Sequence, residues 1–386
     1  MIWYGSTNIL NMDLERMSND LKWSSYDFTK IPFDKIVKVG QRTLLYRDLF
    51  TVSWLLGRFC NYRCSYCWPY ARSDRKDHRP TQLCLYTIDE IKRQARENGF
   101  NSFHFSLSGG EPTFHPGYLD ILKYLADDVV NTNYTSIHMT SNCSRNMKWF
   151  QTYVEYAKPF HRASITASLH TEHLNTREKM QDFADKLILC QEHDVQVTIN
   201  MVMVPQWFEK DWENALFFHE QGINVTLKPQ SDPTASRVVD GYKEEDLKRL
   251  HNGMPQRAYT ESKRKWANRP KAKFEAPIGM GKPDASVPWH MQVEMEDSKG
   301  KKWYMDQAER FNAFNFNNFE GWRCNAGYSG IIIREPDGSV KRSYSCHDAP
   351  LGNIETGFQL FKTPKTCITK SCVSSADSKI PKRKII

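Results

Sequence analysis

Cysteine occupies positions 60, 64 and 67 in the run Gly57-Arg58-Phe59-Cys60-Asn61-Tyr62-Arg63-Cys64-Ser65-Tyr66-Cys67. The spacing C-x3-C-x2-C puts three soft sulfur donors on one short loop. Thiolates at that density suit an iron–sulfur cluster or zinc. Three protein ligands leave a position open for a small molecule, and open positions mark catalysis more than scaffolding. The same donors also fit a zinc knuckle completed by a neighbour such as His78.

Other polar groups recur where strands should end. Ser108-Gly109-Gly110-Glu111-Pro112-Thr113 carries two glycines that let the backbone approach a ligand closely. Thr140-Ser141-Asn142 reads either as a helix N-cap or as a ligand contact. His170 either faces a substrate or is a satisfied strand-end histidine. Met201, Val202 and Met203 either line a pocket or are plain core. Lys228 and Gln230 close the last strand of the series.

The elements that must position these groups alternate. Strand-like runs rich in β-branched and aromatic residues span 51–57, 102–108, 136–141, 164–169, 196–204 and 224–229. Helical patterns separate them, the first opened by a capping box at Thr87-Ile88-Asp89-Glu90 and closed by Gly99. Repeated β–α units with short links imply an α/β fold with a parallel sheet and helices outside. In parallel barrels the chemistry gathers at the C-terminal ends of strands. Cys60, Cys64 and Cys67 come just after the first strand, where that rule puts them.

The cysteine triplet resembles the cluster-binding loop of the radical S-adenosylmethionine (SAM) enzymes, and the Gly-Gly-Glu-Pro run resembles that family's second motif. The resemblance implies a (β/α)6 partial TIM barrel over residues 51–230. It implies that Cys60, Cys64 and Cys67 hold a 4Fe–4S cluster whose open iron chelates SAM, with Tyr66 near the adenine. Gly109, Gly110 and Glu111 are then expected at the SAM amino group, with Pro112 shaping the turn. Ser141, Asn142, Ser168 and Val202 are expected to line the rest of the SAM pocket, and His170 and Lys228 to serve the substrate. The implied reaction is reductive cleavage of SAM to a 5′-deoxyadenosyl radical that takes hydrogen from a small polar metabolite or peptide. A donor such as flavodoxin or ferredoxin would supply the electron.

A second set, Cys324, Cys346, Cys367 and Cys372, surrounds a predicted hairpin, 330–340, with an Asp-Gly turn. It resembles the twitch and SPASM-type domains of the same family, implying a small C-terminal cysteine-rich domain over 323–386 with an auxiliary 4Fe–4S cluster. Gly338 and Cys346 stand further apart than in that pattern, so a structural zinc site and unligated cysteines stay open, with His347 as a substitute ligand. Of the remaining cysteines, Cys190 and Cys84 read as core, and Cys143 lies beside the barrel mouth. Residues 1–50 read as an extension. Residues 231–322 read as a linker or insertion with a hairpin at 289–305 and crowded aromatics at 311–322.

The chain has 386 residues, 40% apolar and 25% charged, which describes a globular protein with a sizeable core. No stretch approaches a membrane span, and the opening MIWYGSTNILNMDLERM lacks the layout of a signal peptide. Ten cysteines without an export signal therefore point to reduced thiols and a cytoplasmic location. The net charge of +8 gathers in Lys263-Arg264-Lys265 and in the tail Lys379–Lys384, read as solvated surface and a frayed terminus or as attraction to RNA or an anionic substrate. No RNA-binding signature accompanies these charges. The rival reading is a non-catalytic zinc or Fe–S binding protein, RNA-associated through its basic patches; such a scaffold has no need of the Gly-Gly-Glu-Pro run.

Overall fold

The computed structural model describes residues 26–68, 72–233, 237–254, 269–270, 273, 275, 282–288, 290–308 and 310–385. Lys263-Arg264-Lys265 and Trp289 lie outside the described residues.

A first strand, β1 (Ile36–Gln41), precedes the main series. The series is β2 (Leu49–Leu55), β3 (Ser102–Ser108), β4 (Tyr134–Ser141), β5 (Arg162–Leu169), β6 (Val195–Met203) and β7 (Asn224–Pro229). All neighbours in it pair in parallel. Between them run α1 (Thr81–Glu97), α2 (Tyr118–Asp127), α3 (Met147–Ala157), α4 (Arg177–Glu192) and α5 (Phe208–Glu220). Each helix buries one stripe on the sheet; in α1 that stripe includes Ile88, Ile91 and Ala95. Helix α1 starts six residues before the expected capping box, directly after Pro80. Mid-helix, Thr87 donates its hydroxyl to the Leu83 carbonyl instead of capping.

Strand alternation separates two faces. Along β6, Val197, Ile199, Met201 and Met203 enter the core under the helices, whereas Gln196, Thr198, Asn200 and Val202 are half-buried on the concave face. The same alternation puts Ser164, Thr166 and Ser168 of β5 on that face. The inside of this open barrel is therefore polar and its outside is the hydrophobic core.

The sheet is larger than six strands. The segments β8 (Val293–Asp297), β9 (Lys302–Met305) and β10 (Arg323–Cys324) come next in the chain. They are followed by β11 (Gly330–Ile333), β12 (Ser339–Lys341), β13 (Gly352–Asn353), β14 (Gly357–Phe358), β15 (Lys365–Thr366) and β16 (Lys382–Arg383). Strand β11 pairs in parallel with β2, and β12 to β14 follow antiparallel, giving a ten-stranded sheet that ends at β7 and β14 without closing. The predicted hairpin is present, but it extends the barrel sheet, because the apolar run Ile331-Ile332-Ile333 is buried against β2.

The other strands form a six-stranded antiparallel sheet in the order β15-β10-β16-β1-β8-β9. It unites pieces of the N-terminal extension, the insertion and the C-terminal segment. The aromatics of 311–322 are its core: Phe316 packs against Phe311, Phe319 and Trp322. The basic tail is not frayed, since Lys382 and Arg383 pair with β1 on one side and β10 on the other.

Candidate active site

The cysteine loop leaves β2 and continues its parallel pairing with β3 past the strand ends. Leu56 N–H donates to the Ser108 carbonyl, Gly110 N–H to Gly57 and Glu111 N–H to Phe59, at 2.9, 2.9 and 2.7 Å. Only glycine permits this approach. A Cβ at Gly109 would stand 2.3 Å from the Gly57 oxygen, at a φ of +140°, and one at Gly110 would stand 2.2 Å from the Arg58 oxygen. The glycine pair thus seats the cysteine loop. The carbonyls of Gly109 and Gly110 accept no hydrogen bond among the described residues.

Glu111 does not project into the mouth. It is fully buried, and its carboxylate accepts from the Thr113 N–H and hydroxyl, the Ser141 hydroxyl and the Asn142 N–H. Burial nevertheless raises its pKa. Pro112 opens the short turn that this carboxylate caps. Ser141 and Asn142 are likewise turned inward: Asn142 also donates its amide to Asn61 at 3.0 Å and to Cys60 Sγ at 3.8 Å. These residues tie the ends of β3 and β4 to the cysteine loop.

A second set of contacts closes on the loop from the end of β5. His170 Nδ1 and the Tyr66 hydroxyl share a hydrogen bond of 2.8 Å. Glu172 accepts from the Ser65 N–H at 2.8 Å and from its hydroxyl, and His173 Nε2 accepts from the Arg63 N–H at 3.2 Å. The His173 ring stacks on Tyr62 with centroids 4.1 Å apart. Glu172 and His173 were not foreseen; the signal available was a run of polar residues, His170-Thr171-Glu172-His173, at a strand end. Their ligand atoms and Cys64 Sγ lie within 4.8 Å of one another, close enough to share one cation. The Glu172 carboxylate and His173 Nε2 already hold the loop backbone.

Without a bound cation the three thiols hold their protons. Burial raises the pKa of all three, Cys64 to about 12, and the neighbouring sulfurs of Cys60 and Cys67 add to the shift at Cys64. Bound metal reverses that balance by stabilising the thiolates. The Tyr62 N–H already points at Cys60 Sγ, 3.4 Å away, as a donor to a thiolate would. The donor set therefore fits a metal cluster. His78 packs on Phe59 and His115, and among the described residues it joins no three-ligand group with the thiols.

The other expected residues separate by strand face. Ser168, Val202 and Lys228 lie on the concave face, with Val202 and Lys228 directly opposite each other on β6 and β7. Met201 and Met203 point the other way and are core. The Gln230 N–H is taken by the Tyr242 hydroxyl at 2.7 Å. Cys84, Cys143 and Cys190 are all buried in the core cluster, so Cys143 does not open to the mouth.

Cys324, Cys346, Cys367 and Cys372 are all buried and free. Burial pushes Cys372 up to about 12, an effect increased by the sulfurs of Cys324 and Cys367, and Cys346 also feels Cys324. His347 is exposed, and among the described residues it joins no three-ligand group with them. Two residues before Cys346, the Tyr344 hydroxyl bonds the Ser53 hydroxyl of β2 at 2.6 Å, linking this cysteine region to the concave face.

A family model, "Radical SAM superfamily", matches residues 54–219, from β2 through α5. That matched span, less than half of the chain, is similar to the radical SAM superfamily. That family binds SAM at a 4Fe–4S cluster, and the cysteine loop and Gly-Gly-Glu-Pro segment lie inside the matched span. The chain is 32% identical over 113 residues to S-adenosylmethionine-dependent nucleotide dehydratase RSAD2 of Oncorhynchus mykiss; the match covers 28% of each protein. Among solved structures it resembles native anSMEcpe with bound AdoMet, at 15% identity and a TM-score of 0.46 over 80% of this chain and 79% of that one. It also resembles anSMEcpe with bound AdoMet and the Cp18Cys peptide, at 13% and 0.48 over 80% and 78%. No described helix is long and apolar enough to cross a membrane.

Proposed function

We propose that this protein is a radical SAM enzyme acting on a small polar metabolite or a peptide, and that Cys60, Cys64 and Cys67 hold its catalytic 4Fe–4S cluster. The reading is carried by the cysteine loop itself, held at the C-terminal end of the first barrel strand and seated on Gly109 and Gly110. A 4Fe–4S cluster held by Cys60, Cys64 and Cys67 would supply the single electron that reductive cleavage of SAM requires. On this reading the carbonyls of Gly109 and Gly110 would accept from the SAM amino group, and the Ser168 hydroxyl and Val202 would line the pocket. Asn142 and the Tyr62 N–H donate toward Cys60 Sγ and would tune the cluster's potential. Tyr66 is expected beside the adenine, fixed by its bond to His170; this makes His170 a positioning residue. Lys228 at the mouth favours a substrate with an anionic group, and the polar concave face favours a hydrophilic one. An external one-electron donor such as flavodoxin or ferredoxin is implied.

Cys324, Cys346, Cys367 and Cys372 are proposed to hold an auxiliary Fe–S cluster. Sulfurs around one tetrahedral zinc lie about 4 Å apart. Among the described residues, no three cysteine sulfurs meet within 4.8 Å. Anaerobic reconstitution tests both assignments. Replacing Cys60, Cys64 and Cys67 with Ala should abolish deoxyadenosine formation and leave about four irons per chain. Cleavage in that variant would defeat the first assignment; zinc, or no metal, in it would defeat the second.

A further inference from the structure

At the opposite end of the barrel, a cavity of about 750 Å³ opens between the two sheets. One wall comes from the residues that enter the parallel strands: Asp48 before β2, Phe100 before β3 and Ser329 before β11. The other wall is the edge-on face of β1, β16 and β10 with the tail that follows. Strand β2 has seven residues and so spans about 23 Å. This cleft is therefore remote from the cysteine loop.

Its charge is one-sided. Lys38 on β1, Arg383 on β16 and Arg323 on β10 are direct cross-strand partners, so they stand in a row on one face of the sheet, and all three line the cavity. Like charges directly opposite one another destabilise a sheet. Lys38 is answered by Glu296 at 3.3 Å. Arg323 and Arg383 have no ion-pair or hydrogen-bond partner for their guanidinium groups among the described residues, and Lys384 adds a further cation. The one acid on the wall, Asp48, is already occupied: it accepts from the Ser102 hydroxyl, the Asn133 amide and the N–H groups of Asn101 and Glu275. Leu44, Leu45, Phe100 and Tyr328 add apolar lining to the cavity.

We infer that this cleft binds a small molecule carrying linked phosphates, with its phosphates on Arg323 and Arg383 and its apolar part against Phe100 and Tyr328. Guanidinium groups grip phosphate oxygens in pairs, more specifically than ammonium does. Adjacent strands lie about 4.8 Å apart, so the row from Lys38 to Arg323 extends roughly 10 Å, longer than one phosphate and matched to two or three in series. The cavity volume suits a nucleotide-sized ligand. Such a ligand would join the barrel to the second sheet through β16, without touching the radical chemistry. The site stands whatever the reaction at the mouth.

Titration calorimetry on the full-length protein with pyrophosphate tests this, at about 0.05 M salt where screening is weak. Binding of one pyrophosphate per chain is expected, weakened at least about tenfold in Arg323→Gln/Arg383→Gln and unchanged in Lys228→Met. Lys384→Gln should weaken it less. Without ligand, the double variant should melt no lower than wild type, because it removes a like-charge pair. Several results would overturn the assignment: no binding by wild type, equal binding by the double variant, or binding that follows Lys228. So would orthophosphate binding as tightly as pyrophosphate, or a lowered melting temperature that gives the arginines a structural role. A short RNA that binds through these arginines when pyrophosphate does not would also overturn it.

Discussion

The carboxylate of Glu172 holds Ser65 by both its backbone N–H and its hydroxyl, so the centre of the cysteine loop hangs from the end of β5. Ser65 lies between Cys64 and Cys67, and the loop is otherwise anchored at its base, on Gly109 and Gly110. This contact decides where Cys64 and Tyr66 stand.

Glu172→Ala should therefore loosen the loop without unfolding the barrel. Hydrogen bonds to a charged group contribute about 1.5–3 kcal/mol each, so iron bound to the first cluster should be lost at least about tenfold faster. Glu172→Gln keeps an acceptor for the Ser65 N–H and should fall between. Iron content over time under a chelator checks the order; identical loss in all three proteins would remove Glu172 from the loop's support.

Gly110→Val should fail earlier than at SAM binding. Its Cβ would meet the Arg58 and Phe59 oxygens at 2.2 and 2.4 Å, backbone atoms that cannot give way without moving the cysteine loop. The expected result is a variant with less iron and no deoxyadenosine formation. Wild-type iron content with weakened SAM affinity alone would show that the glycine serves SAM and not the loop.

Acid should destabilise the barrel through two histidines on its concave face. His104 Nδ1 bonds the Ser136 hydroxyl and His138 Nδ1 the Ser164 hydroxyl, each at 2.8 Å. Burial depresses their pKa values to about 3 and about 4. Unfolded, each binds a proton near pH 6.5; folded, neither does until well below that. The unfolded state thus holds more protons between these values, and stability falls as pH drops from about 6.5 toward 4. The expected loss is on the order of 2–3 kcal/mol per histidine, measured by urea unfolding from pH 7 to 4.5. His104→Gln/His138→Gln should flatten that dependence.

Lys228→Met tests the mouth. Lys228 is exposed at the end of β7, opposite Val202. The variant should retain SAM cleavage but uncouple it from substrate turnover, lowering product formed per deoxyadenosine by about tenfold, the scale of one lost charge contact. Full turnover would remove Lys228 from the substrate site.

The parallel strands, their helices and the place of the cysteine triplet were legible in the sequence because each rests on local signals. Alternation with period two marks Val197–Met203, a periodic stripe marks α1, and C-x3-C-x2-C occupies only eight residues of chain. Even the hairpin at 330–340 showed itself by its Asp-Gly turn. Its partner did not: pairing of Ile331–Ile333 with Val52–Trp54 joins segments nearly 280 residues apart, and no local pattern specifies that. The same holds for the second sheet, which draws β1, β8 and β16 from three distant regions. At the site, residue types announced which groups were available, while tertiary packing decided what they do. Glu111 was legible as part of a motif, but only the fold surrounds it with the Thr113, Ser141 and Asn142 donors that turn it inward. Glu172 and His173 looked like ordinary polar residues until β5 carried them to the cysteine loop. A hydrogen bond depends on positions within a few tenths of an ångström, and those are set by the packing of the whole barrel.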